Sequence, residues 1–165
     1  MKTVSVCFVC LGNICRSPTA EGVMRHLVDE AKLADRILID SAGTGDWHIG
    51  APPDERAQLA ARQRGYELAA LRGRQITVAD FERFDLLIAM DERNVAELRR
   101  LCPPAQRDRI RLLMEFVPEI DRRWDGTREV ADPYFGGAEG FEQVLDQCEA
   151  ACRGLIDVLR AQLPG

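Results

Sequence analysis

Histidine is scarce in this 165-residue chain: the two present, His26 and His48, stand outside any metal or general-base pattern and are expected to be solvated. Long hydrophobic runs are missing too. The N-terminal one covers about eight residues, too short for the core of a signal peptide ahead of a cleavage site, and no stretch approaches the ~20 residues of a membrane span. A cytoplasmic protein is expected. Basic charge is in deficit, with 22 Lys and Arg against 27 Asp and Glu for a net charge of −5, which argues against nucleic acid or an acidic membrane surface as partner. Any anion site must therefore be local. No repeat, linker or low-complexity tract divides the chain, so residues 1–165 are read as a single domain, with a monomer the simplest expectation. A 46% hydrophobic composition buries a core without covalent staples, so Cys7, Cys10, Cys15, Cys102, Cys148 and Cys152 are read as reduced thiols.

What the chain does have is alternation. Thr3 to Val9 is apolar on both faces, as a central parallel strand is. Pro18 suits the first turn of a helix in which Ala20, Val23, Met24, Leu27, Val28 and Ala31 recur at helical spacing. Ile37 to Gly43 reads as a second strand, followed by a helix from Pro53 or Asp54 to about Arg64, with Gly65 at its end. Thr77 and Asp80 look like a capping pair for a short helical turn. Phe84 to Met90 is a third strand, and Asp91 opens a helix that stops before Pro103 and Pro104. Ile110 to Met114 is a fourth strand, Glu115 to Gly137 has no clear period, and a last helix is expected from Ala138 to Leu163. This order predicts an α/β fold: a three-layer single domain with a four-stranded parallel sheet and right-handed crossovers. Ligands in such folds sit outside the carboxyl ends of the strands, where the loops after the first three strands and the long segment should meet.

The first of those loops reads CLGNICRS, residues 10 to 17. Between strand and helix it exposes several backbone N–H groups at once, a place to hold an anion. Five residues separate Cys10 from Arg16, enough to curl around a tetrahedral anion. Gly12 is expected to relieve the strain of the curl, and Asn13 tolerates left-handed dihedrals. Arg16 offers a planar fork for two phosphate oxygens. A cysteine there sits at a helix N-terminus beside a guanidinium, two influences that favour thiolate over thiol, and Ser17 is placed to donate a hydrogen bond to its sulfur. A thiolate facing a phosphate invites in-line attack, and the expelled oxygen needs a proton. The candidate acid is Asp132 in VADPYFGG, where Pro133 stiffens the turn, Gly136 and Gly137 let it fold over, and Tyr134 and Phe135 can wall an aromatic substrate. Cys7 and Cys10 point to opposite faces of a strand, unlike a redox dithiol. Cys148 and Cys152, four apart on a helix without further ligands, read as core. Trp124 reads as an anchor of the long loop.

With VCLGNICRSP, DSAGTGDW (Asp40 to Trp47), RQIT (Arg74 to Thr77), MDERN (Met90 to Asn94) and ADPYF (Ala131 to Phe135) in this order, the chain resembles a low-molecular-weight protein tyrosine phosphatase over nearly its whole length. The resemblance implies a Cys10 nucleophile that forms a phosphocysteine, with Arg16 and the amides of Leu11, Gly12, Asn13, Ile14, Cys15 and Ser17 around the phosphate. Asp132 is then acid in the first step and base in the second, Asn13 and Ser41 brace the loop, and Trp47, Tyr134 and Phe135 wall the cleft. It implies a tyrosine-phosphorylated protein substrate and neither metal nor cofactor. It also gives Cys15 a reversible disulfide with Cys10, against the alternative of a small side chain in a tight loop. Leu71 stands where many members carry a loop-supporting histidine, which leaves the support of Asn13 open, and Phe135 replaces a second tyrosine. A thiol-dependent arsenate reductase, on a similar loop and fold, needs relay cysteines, and none falls between Phe81 and Arg100. A phosphate-binding module without catalysis has no need of Asp132.

Overall fold

Seven consecutive buried residues, Val4–Cys10, form β1, the strand whose apolar character on both faces demands cover on both sides. A computed structural model describes residues 2–163 of the chain. Met1, Pro164 and Gly165 of the expected domain lie outside the described residues. After β1 come α1 (Arg16–Glu30), β2 (Ile37–Gly43), α2 (Glu55–Arg62), α3 (Asp80–Arg83), β3 (Leu86–Ala89), α4 (Glu92–Leu101), β4 (Ile110–Leu112) and α5 (Ala138–Ala161). The four strands make one parallel sheet in the order β2-β1-β3-β4. On one face, Val6 and Phe8 pack with Val23 and Met24 of α1, Ala57 of α2, and Val144 and Leu155 of α5. On the other, Cys7 and Val9 pack with Phe81 of α3 and Leu98 of α4. These are the three layers expected.

Several boundaries move. The third strand opens at Leu86 rather than Phe84, because the Phe84 carbonyl accepts from Arg109 Nη1 at 3.1 Å, along with the carbonyls of Phe81 and Glu82. The fourth ends at Leu112, since Leu113–Phe116 winds into a 3-10 turn, and α5 stops at Ala161 rather than Leu163. The second helix covers Glu55–Arg62 behind an Asp54 cap, with Gly65 beyond it at φ 90°. Thr77 and Asp80 do pair: both the N–H and the hydroxyl of Thr77 donate to Asp80 Oδ2.

The long segment after β4 is tied down at two places. Trp124, in a short 3-10 turn, packs half-buried against the larger core. Val130 is fully buried and its N–H donates to Met90 O at 2.8 Å, which brings the residues after it to the carboxyl end of β3. At the opposite edge, α1 returns to β2 through a turn in which Lys32 adopts φ 59° and Ile37 N–H donates to Leu33 O.

Candidate active site

The loop from Cys10 to Arg16 is shaped by backbone pairing with the end of β2. Thr44 N–H donates to Cys10 O and Gly45 N–H to Leu11 O, both at 2.9 Å. This approach requires Gly43, where a Cβ would lie 2.8 Å from Leu11 O. The curl itself is taken up by Asn13, at φ 56°. Gly12 keeps a negative φ and relieves the crowding in another way: a Cβ there would stand 3.1 Å from His48 Cδ2, so its smallness makes room for the histidine.

Asn13 is held from three sides. Its Nδ2 donates to Ser17 Oγ at 2.7 Å and to Ser41 Oγ at 3.0 Å, while its Oδ1 accepts from the backbone N–H of Arg74 at 3.0 Å. Ser41 Oγ in turn donates to Glu21 Oε1 at 2.6 Å, and the buried Glu21 carboxylate is also held by Arg25. Support for the loop thus comes through Arg74 and Glu21, and Leu71 is a partly buried apolar residue against the core. Arg74 is fixed by a two-pronged pair with Asp80 and a bond to Asp40.

The result at the sulfur is a defined polar cradle. Cys10 Sγ lies 3.0 Å from Ser17 Oγ and accepts from Asn13 N–H at 3.3 Å. Because Asn13 already donates to Ser17 Oγ, and the Ala42 carbonyl is 3.5 Å away, the single hydroxyl proton is best directed at sulfur. No side chain caps α1 at Cys15, which leaves its N-terminal dipole facing the loop.

Arg16 is buried and oriented by groups from elsewhere in the fold. Nη1 donates to Asp91 Oδ2 at 2.6 Å and to Val130 O at 2.9 Å, and Nη2 lies 3.8 Å from Asp132 Oδ2. Burial works against the charge, but Cys10, the Asp91 hydrogen bond and Asp132 outweigh it and raise the guanidinium above its ordinary range. Asp91 is itself fixed as the cap of α4, in a reciprocal box with Asn94.

A cleft of about 240 Å³ is lined by Cys10, Leu11, Gly12, Ile14, Cys15 and Arg16 of the loop together with Trp47, His48, Asp132, Tyr134 and Phe135. All three expected wall aromatics therefore border it, and Tyr134 and Phe135 meet edge to face. Asp132 Oδ1 accepts from Tyr134 N–H at 3.1 Å, in the turn that Pro133 stiffens. His48, expected to be solvated, is a half-buried part of the lining. Asp91, Glu21 and the Arg74 amide were not among the residues the sequence marks for the site. Only Asp91 carried a local signal, as a helix cap.

Of the remaining thiols, Cys15 borders the cleft and the others stand apart from it. Burial, reinforced by Asp54 and Cys10, pushes Cys15 up to about 12, and burial raises Cys7, Cys148 and Cys152 further. Among the described residues no group of three or more His, Cys, Asp or Glu side chains is placed to hold a metal ion, and no helix is long and apolar enough to cross a membrane.

Residues 5–164 match the model of the low molecular weight phosphotyrosine protein phosphatase family. A low molecular weight protein-tyrosine-phosphatase of Streptomyces coelicolor is 44% identical over 99% of this chain and 98% of its own length. A low molecular weight phosphotyrosine protein phosphatase of Sus scrofa is 41% identical over 96% and 97%. A solved protein tyrosine phosphatase of Entamoeba histolytica superposes with a TM-score of 0.90 at 38% identity, covering 98% of this chain and all of that one.

Proposed function

The chain belongs to the low molecular weight phosphotyrosine protein phosphatase family, and from that premise we propose that Cys10, Arg16 and Asp132 hydrolyse phosphotyrosine without a metal. The observation that carries the reading is the convergence in one cleft of a sulfur cradled by two donors, a buried guanidinium and a carboxylate 3.8 Å from it.

The substrate phosphate enters the loop, with its oxygens on the amides of residues 11 to 17 and on Arg16. Cys10 Sγ attacks phosphorus in line as the phosphorus–oxygen bond to the ring breaks. Asp132, protonated, gives its proton to the departing phenolate, and the product is a phosphocysteine and tyrosine. Water then attacks phosphorus, Asp132 takes its proton, and Sγ leaves as a thiolate into the Ser17 and Asn13 donors. Trp47, Tyr134 and Phe135 flank the ring and favour a flat aryl group. The substrate is a tyrosine-phosphorylated protein. The net charge of −5 argues against nucleic acid or an acidic membrane surface as partner, and we take the chain as one domain, 1–165, acting in the cytoplasm as a monomer.

Hydrolysis of phosphotyrosine and of p-nitrophenyl phosphate by wild type, Cys10→Ser and Asp132→Ala tests this. Turnover that resists a chelator is expected to vanish in Cys10→Ser. In Asp132→Ala turnover of phosphotyrosine should fall about 10²- to 10⁴-fold, the usual contribution of a positioned acid, and that of p-nitrophenyl phosphate by less, with inorganic phosphate still bound. Undiminished turnover in Cys10→Ser overturns the mechanism.

A further inference from the structure

Beyond Val130, the backbone hydrogen bonds described for residues 131–137 stay within the segment or reach only its neighbour Gly140, so the acid-bearing turn has little backbone tie to the body. Its side-chain ties are correspondingly important. One is the 3.8 Å approach of Asp132 to Arg16. The other runs through Tyr134, whose ring centroid lies 5.4 Å from the guanidinium carbon of Arg56.

Arg56 is well placed to act as a fixed post. Its Nε and Nη2 fork onto Asp54 Oδ1 and Oδ2 at 3.1 and 2.9 Å, and the same guanidinium lies 4.8 Å from the ring centroid of buried Phe141 in α5. Asp54 is anchored in turn: it caps α2, and its N–H donates to Ile14 O at 2.8 Å, inside the loop that holds Cys10. The Arg56 fork holds the Asp54 carboxyl below the usual carboxylate range, as expected of a pair that persists. A continuous path therefore leads from the nucleophile loop through Asp54 and Arg56 to the Tyr134 ring. From there the Tyr134 N–H bond to Asp132 Oδ1 reaches the acid.

We propose that Arg56 is a positioning residue for the reaction, fixing the Tyr134 wall and, through the turn they share, the orientation of the Asp132 carboxylate toward the leaving oxygen. The proposal rests on the phosphatase reading. A planar cation clamped at one edge can stack on an aromatic ring without swinging away, which a lysine cannot reproduce in full. Loss of the post loosens the acid more than the phosphate site, because the Arg16 contacts to Asp91 and Val130 do not involve it.

The test compares wild type, Arg56→Ala and Arg56→Lys by kcat/KM on phosphotyrosine and on p-nitrophenyl phosphate, whose leaving group needs a proton far less. In Arg56→Ala the phosphotyrosine value is expected to fall about tenfold and the p-nitrophenyl phosphate value about two- to threefold, with the inhibition constant of inorganic phosphate within about twofold of wild type. Arg56→Lys should recover part of the loss. Hydrogen exchange at the Tyr134 amide, which needs no turnover, should quicken in Arg56→Ala. Equal losses for both substrates, or unchanged exchange at Tyr134, overturn the assignment. Wild type without turnover overturns the phosphatase reading instead, and the exchange measurement still decides whether Arg56 holds the turn.

Discussion

Asp91 performs two separable jobs with two oxygens. Oδ1 accepts the Asn94 N–H that caps α4, and Oδ2 holds Arg16. Asparagine caps a helix as well as aspartate does but has no charge to offer the guanidinium. Asp91→Asn and Asp91→Ala should therefore both lose kcat/KM and phosphate affinity, while only Asp91→Ala also loses the cap, about 1 kcal/mol in urea denaturation. Equal stability of the two variants would show that the cap contributes nothing. The capping job is legible in MDERN because it is local. The Arg16 job is not, since the partners stand 75 positions apart and only the sheet brings them together. Glu21 is a stronger case: an acidic residue on a helix otherwise reads as surface, and its burial against Ser41 and Arg25 has no local mark. Asn13 was legible as the left-handed residue, whereas its support by a backbone amide leaves no trace in side-chain identity.

At the scale of elements, strands and helices with a continuous apolar pattern were readable, and apart from those of β2 most of their ends were not. β3 opens late and β4 stops short of its apolar run, because Arg109 engages the Phe84 carbonyl and the 3-10 turn takes the backbone elsewhere. Contact between elements also sets the tolerance for added volume. Gly154 of α5 faces that 3-10 turn, and a Cβ there would fall 1.7 Å from Phe116 O. Gly22 of α1 would meet Leu68 Cδ2 at 2.2 Å, the free end of a side chain that can turn aside. Alanine is the better helix former at either site by about 1 kcal/mol, so packing decides the sign. Gly154→Ala is expected to destabilise by at least about 1–3 kcal/mol, and Gly22→Ala by clearly less. Similar urea midpoints for the two would refute the distinction between rigid backbone and yielding side chain.

Over the whole molecule, buried thiols make stability depend on alkaline pH. Burial raises Cys7, Cys148 and Cys152, and holds Cys15 at about 12, whereas unfolded thiols ionise near pH ~8.5. Below that pH both states keep these protons and stability is flat. Above it the unfolded chain releases them and the folded chain does not, so the unfolded state binds fewer protons and stability falls toward pH ~12. Each such thiol contributes about 1.4 kcal/mol per pH unit. Urea midpoints that stay constant from pH 8 to 10.5 under reducing conditions would contradict this. The parallel sheet has one more consequence, because it sends the reactive loops to one edge and the α1–β2 turn to the other. The chain's two lysines, Lys2 just before β1 and Lys32 in that turn, both lie on the far edge. Their amines are ready-made handles: coupling to a bead or sensor chip through lysine would seat the molecule with its cleft turned outward.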